Sequence, residues 1–179
     1  MTRPTGTPEI VWQGKYIQVQ TLGTWEYVGR TRGVQAAVIL AVDDEDHAIL
    51  VEQYRVPVGA WCLELPAGLV GDEQAGEQVE VAAARELEEE TGYRPARIVN
   101  LGRFHASPGM SSEGFTLLRA EGLERVSDGG GVAGEDIVVR RVPLSRVAQF
   151  VAERRAAGLQ MDAKLLLLLG AGMLTEAYG

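Results

Sequence analysis

Residues 71–93 read GDEQAGEQVEVAAARELEEETGY, placing Gly71, Glu77, Arg85-Glu86-Leu87, Glu89-Glu90 and Gly92-Tyr93 at spacings that chance composition rarely produces. On a helix over residues 78–91, at about 100° per residue, Val79, Ala82, Ala83, Glu86 and Glu90 share one stripe, with Glu89 at its border. An amphipathic helix normally buries such a stripe. Glu77, Glu80 and Glu88 point the other way, as a solvated face would have them. Two carboxylates therefore stand where the pattern predicts apolar residues. Like charges four apart repel by a few tenths of a kcal/mol in water and by more when partly buried, so a positive partner is expected. Oxygen ligands with no nearby histidine or cysteine favour a hard cation, Mg²⁺ with Mn²⁺ as a substitute, completed by waters and substrate phosphates. A surface helix held by pairs such as Arg85 with Glu88 or Glu89 would leave acids on the apolar stripe unexplained.

The full spacing, Gly-x5-Glu-x7-Arg-Glu-Leu-x-Glu-Glu-x-Gly-Tyr, resembles the Nudix box, with Tyr93 where the family usually has an aliphatic residue. The resemblance implies hydrolysis of a nucleoside diphosphate linked to another group, on an α/β fold with an α/β/α sandwich around a mixed sheet. It implies that Glu86, Glu89 and Glu90 hold metal, that Arg85 and Glu77 brace the loop and helix, and that Gly92 closes the motif. Strict counting makes Gly71 the box glycine. The lead-in Glu64-Leu65-Pro66-Ala67-Gly68 favours Gly68 instead, with three extra loop residues and the Ala67 carbonyl as a further metal ligand.

With 179 residues, 46% of them hydrophobic, the chain can build one sizeable core. A net charge of −8 repels nucleic acid, and no basic tract offsets it. A phosphate substrate is then drawn in by bound cations and a few local arginines. The single cysteine, Cys62, reads as a reduced core thiol rather than a nucleophile. No secretory leader pattern opens the sequence, so a cytoplasmic location is expected. The run at Leu165 to Leu169 lies between Lys164 and Glu176, about eleven positions, too few to span a bilayer; a buried helix or dimer contact is expected.

Strand patterns are expected at Ile10–Trp12, Tyr16–Thr21 and Trp25–Gly29, then Val34–Val42 and Ala48–Tyr54 around an acidic turn, Asp43 to Asp46, read as solvated rather than as a metal site, with His47 on the surface. Further strands are expected at Trp61–Leu65, Ala96–His105, Gly114–Ala120 and Ile137–Val142. Ser145 is expected to cap a helix to about Ala157 and Asp162 another through Leu174, while Glu121–Glu135 reads as a long mobile loop. Two regions follow: an N-terminal β arm, 1–32, suited to dimerisation, and a hydrolase domain, 33–179.

Flanking residues narrow the expected substrate. Gln53-Tyr54-Arg55, Glu64 to Gly68, and Ser107-Pro108-Gly109 with Glu113 resemble the branch that cleaves ADP-ribose and other nucleoside diphosphate sugars. Pro108, fifteen residues beyond Tyr93, falls where ADP-ribose pyrophosphatases carry a diagnostic proline. Gly129-Gly130-Gly131-Val132 followed by Glu135-Asp136-Ile137 resembles GDP-mannose hydrolases as well. By resemblance Glu135 is a further metal ligand or the general base; as a bare residue it is equally an exposed turn acid. Relatives often carry a second glutamate at the place of Ala133, so Glu89 is the other candidate for activating water. Arg55, Arg103, Glu113 and, through a partner's arm in a homodimer, Tyr27 are candidate substrate contacts, Arg55 for its planar phosphate-matching fork. His105 reads as a structural histidine. A nucleotide-binding sensor without catalysis would be expected to lack the intact box acids, and a dimer module built on the leucine-rich helix would show no Mg²⁺ dependence.

Overall fold

The computed structural model describes residues 4–31, 35–71, 76–132 and 134–169. Continuous apolar runs that bury both faces of a strand make central strands. Two such runs, β4 (Gln35–Ala41) and β5 (His47–Arg55), organise two four-stranded sheets. The first has the order β7-β4-β9-β8, adding β7 (Ala67–Val70), β8 (Tyr93–Phe104) and β9 (Phe115–Arg125). The second has the order β10-β5-β6-β11, adding β6 (Ala60–Glu64), β10 (Val138–Pro143) and β11 (Gln160–Met161). Each is mixed, since β4 runs parallel to β9 and β6 parallel to β11 while the other pairs are antiparallel.

The period of two along β4 splits the core. Val38 and Leu40 pack with Leu50, Leu63, Val147, Leu165 and Leu168, on the side of α2 (Val147–Ala156) and α3 (Leu165–Leu169). Ala37, Ile39 and Ala41 pack with Ala83, Leu87 and Tyr93, on the side of α1 (Val79–Thr91). The expected α/β/α layering follows. Among the described residues no helix is long and apolar enough to cross a membrane.

The N-terminal arm forms its own antiparallel sheet of β1 (Glu9–Gln13), β2 (Ile17–Leu22) and β3 (Trp25–Arg30). It is tied to the loop after β8, where Val28 donates its N–H to the Met110 carbonyl (2.9 Å) and accepts from Ser112 (2.9 Å). The junction at residues 32–34, where the two regions were expected to meet, lies outside the described residues.

Several expectations change. The strand after the box begins at Tyr93 and runs through Pro95, which an edge strand tolerates because its missing N–H faces away from the ladder. The loop expected from Glu121 starts only after Arg125, because β9 continues as a solvent-facing ribbon against β8, with Tyr93 opposite Arg125 and Arg97 opposite Glu121. Polar residues on both strands erased the alternation that marks half-buried sheet. Ser145 does not cap a helix; it sits in a 3-10 turn, Leu144–Arg146, that leads into α2 without a side-chain cap. Asp162 does cap, accepting the Lys164 N–H at 2.7 Å, and α3 ends its described course at Leu169, so residues 170–174 lie outside. His47 is half-buried, 3.5 Å from Asp43, whose Oδ1 accepts the N–H groups of Glu45 and His47 and so closes the acidic turn on itself.

Candidate active site

The helix α1 carries the acids much as its periodicity demands, with one change of face. Ala82, Ala83, Leu87, Glu90 and Thr91 are buried, so the core stripe centres on Leu87 and takes Glu90 in with it, while Glu86 stands at the stripe's edge. Glu77 is not solvated as expected: it turns inward, with Arg85 Nε 3.5 Å from its Oε1. Arg85 also reaches Glu86 (3.1 Å) and Glu89 (3.2 Å), so one guanidinium braces three carboxylates. Of the other outward acids, Glu88 is forked by Arg94 and Glu80 accepts from Asn100.

Glu90 is 6% exposed, and its Oε2 accepts the Ala67 N–H at 3.1 Å. Burial pushes its carboxyl up to about 8; the Ala67 hydrogen bond opposes this, and the charges of Glu86 and Glu135 reinforce it. A divalent ion would stabilise the ionised form of such a buried acid and its acidic neighbours, and carboxylate oxygens are the donors it prefers. Gly68 belongs to the same spot: a Cβ there would run into the end of the Glu86 side chain, so any larger residue would have to move that carboxylate. Gly71 serves differently, in a turn at φ 82°. Among the described residues no three His, Cys, Asp or Glu side chains close around a point as a complete metal cage.

Gly92 ends α1 in the left-handed conformation, φ 75°, and donates to Glu88 (2.8 Å). The loop expected to be mobile is instead laced to this helix end: Val126 donates to the Gly92 carbonyl (2.8 Å), Gly130 to Glu90 (2.9 Å) and Gly131 to Glu89 (3.0 Å). It carries Glu135, exposed, whose Oε2 accepts the Val132 N–H at 3.1 Å. Ala133 lies outside the described residues.

Beside Ala67 and Gly68 opens a cleft of ≈ 680 Å³ whose charged lining is Arg30, Arg55, Glu64, Glu113, Asp162 and Lys164. These form three pairs. Arg55 forks Glu64, with both bonds at 2.7 Å and Glu64 fully enclosed; Arg30 donates to Glu113 at 2.6 Å; Lys164 holds Asp162. Of the expected substrate contacts, Arg55 and Glu113 therefore face the cleft. Arg103 is exposed and is not itself a lining residue, though its guanidinium flanks Gly114, which is, and Tyr27 is turned to Gln20 Oε1 (3.1 Å) within the arm. His105 holds the Glu113 carbonyl through Nδ1 at 3.2 Å, a structural contact. Cys62 lines the cleft as a buried free thiol; burial pushes it up, away from the thiolate a nucleophile needs. Sequence reasoning missed Arg30, Asp162 and Lys164. Arg30 ends an arm strand without any local signal, and the other two read as a helix cap and a flank of the apolar run.

The NUDIX domain pattern matches residues 31–155, which is most of the chain. The chain belongs to the NUDIX family. Its Nudix relatives include the ADP-ribose pyrophosphatase of Bacillus subtilis, 35% identical over 120 residues (66% of this chain, 63% of that protein). Another is the GDP-mannose pyrophosphatase of Cronobacter sakazakii, 34% identical over 144 residues (77% and 72%). The matched stretches span 56% to 64% of the length of several curated relatives. A solved ADP compounds hydrolase shares the fold at a TM-score of 0.71, covering 97% of this chain and 95% of that one at 23% identity.

Proposed function

We propose that this protein is a divalent-metal-dependent pyrophosphohydrolase that splits ADP-ribose into AMP and ribose 5-phosphate, with Mg²⁺ as the ion. The observation that carries the reading is the buried Glu90, enclosed with Glu86 beside Gly68, at the edge of a cleft whose cations are already paired. Glu86, Glu89, Glu90 and Glu135, with the Ala67 carbonyl, would hold the ion. Bound Mg²⁺ supplies Lewis acidity and a water of lowered pKa. The chain's own groups do the rest. Arg85 holds Glu86 and Glu89 in place, and Arg55, fixed by Glu64, presents its guanidinium to a diphosphate oxygen. Glu135 or Glu89 takes the proton from the attacking water.

The similarity to a GDP-mannose pyrophosphatase, together with Gly129–Val132 followed by Glu135, supports a second reading in which GDP-mannose is the substrate. The arm exposes Ile10, Trp12, Tyr16 and Trp25, which supports its role as a homodimer contact.

One purified sample decides among these. With Mg²⁺ present, release of AMP and ribose 5-phosphate from ADP-ribose should exceed turnover of GDP-mannose and of a dinucleoside polyphosphate. Glu89→Gln and Glu90→Gln should each lower that rate by about 10² or more while the protein stays folded. Wild-type rates in both variants, or no Mg²⁺-dependent turnover of any substrate, defeat the hydrolase reading. Light scattering that returns only the 19.3 kDa monomer at micromolar concentration defeats the dimer.

A further inference from the structure

We propose that Gly131 is a positioning residue for catalysis: its bare Cα leaves the space in which the Glu135 carboxylate is held beside the end of the box helix. The inference rests on the reading of Glu135 as a working carboxylate and adds what places it there.

Three observations converge. The last turn of α1 ends in carbonyls with no helical partner, which need donors from elsewhere. The glycine loop supplies them, with Gly130 bonded to the carbonyl of Glu90 and Gly131 to that of Glu89, so it is anchored on the backbone of the two residues that carry the box carboxylates. Anchoring is possible only at very close range: a Cβ at Gly129 would lie 2.4 Å from the Thr91 carbonyl carbon. From that anchor the chain turns back. Glu135 donates its N–H to the Val132 carbonyl (3.0 Å) and accepts the Val132 N–H on Oε2, so its side chain lies over the loop's own backbone. What it lies over is Gly131, where an added Cβ would meet Glu135 Oε2 at 2.5 Å and Glu135 Cβ at 2.8 Å, both inside van der Waals contact. A methyl group there displaces the carboxylate and leaves the latch to α1 intact, because alanine keeps the N–H.

Backbone strain is separable from displacement within the same loop. Gly131 has φ 83°, a conformation L-residues resist by about 1–2 kcal/mol. Gly134 has φ 100° and nothing within 4 Å of an added Cβ, so alanine there carries comparable strain and touches no carboxylate.

The test measures kcat, KM and the Mg²⁺ midpoint for Glu135→Gln, Gly131→Ala, Gly134→Ala and the Gly131→Ala/Glu135→Gln double variant, each checked for folding by thermal melt. Glu135→Gln should lower kcat by about 10²-fold. Gly131→Ala should lower it at least tenfold with KM little changed, Gly134→Ala should stay within about threefold, and the double variant should fall no further than Glu135→Gln alone, since both changes remove the same group. Multiplying effects in the double variant, a Gly134→Ala loss equal to that of Gly131→Ala, wild-type kcat in Gly131→Ala, or its failure to fold each overturn the inference and leave the hydrolase reading standing. Full turnover in Glu135→Gln overturns the role of Glu135 itself.

Discussion

Glu90→Gln should make the metal-free protein more stable at alkaline pH and abolish the extra stability that Mg²⁺ confers there. Glu90 is enclosed, its Oε2 accepts the Ala67 N–H, and its carboxyl is raised from 4.5 to about 8 by burial and then by Glu86 and Glu135. The folded-state value lies above the unfolded one. The group's contribution is therefore fully present below about pH 4.5 and is lost as pH rises through about 8. A displacement of that size corresponds to about 5 kcal/mol at 1.36 kcal/mol per unit. Relaxation and water entry reduce what a real ion costs, so the neutral glutamine, which still accepts from Ala67, should gain about 2–4 kcal/mol at about pH 8.5. For a chain of this length that raises Tm by about 5–12 °C. Calorimetry in chelator at about pH 5, 7 and 8.5 reads the trend, and the wild-type deficit should shrink toward the acid end. Adding Mg²⁺ at the alkaline end should restore the wild type and leave the variant unmoved. A variant less stable than wild type at every pH, or a difference flat across pH, refutes the placement of Glu90 as a buried acid whose charge a cation stabilises.

Two further outcomes follow from the same geometry. Arg55→Ala strands Glu64 as an enclosed charge without its fork and should cost about 3–5 kcal/mol by urea unfolding, beyond any loss of substrate affinity; a loss below about 1 kcal/mol would place the pair with ordinary surface bridges. Gly68→Ala drives a methyl group into Glu86 and should weaken the Mg²⁺ dependence of turnover by at least about tenfold, read as a shift of the metal midpoint; an unshifted midpoint would separate Glu86 from the metal.

The box helix was legible because its information is local. The spacing of apolar and acidic residues sets which groups share a face, and a misplacement of the stripe by one residue, toward Leu87, moved Glu86 to the edge without scattering the acids. The strand β7 was not legible, being four residues inside a glycine-rich lead-in, and neither was the far half of β9, whose cross-strand ion pairs carry no apolar period. The glycine loop read as mobile because low hydrophobicity and many glycines describe a flexible linker and a tightly apposed one equally well. Which of the two it is depends on carbonyls at the end of a helix about forty residues earlier in the chain.

From its residues alone this protein declares an α/β fold, a helix carrying carboxylates on its inner edge and a chemistry built on a hard cation, since these rest on periodicity and on the kinds of donor present. Only the folded chain decides that Arg30, Asp162 and Lys164 meet Arg55, Glu64 and Glu113 around one cleft. Only the folded chain presses Glu135 over Gly131. Such meetings join segments that are far apart along the chain, where no spacing rule reaches, and they are set by sheet register and by how closely two backbones can approach.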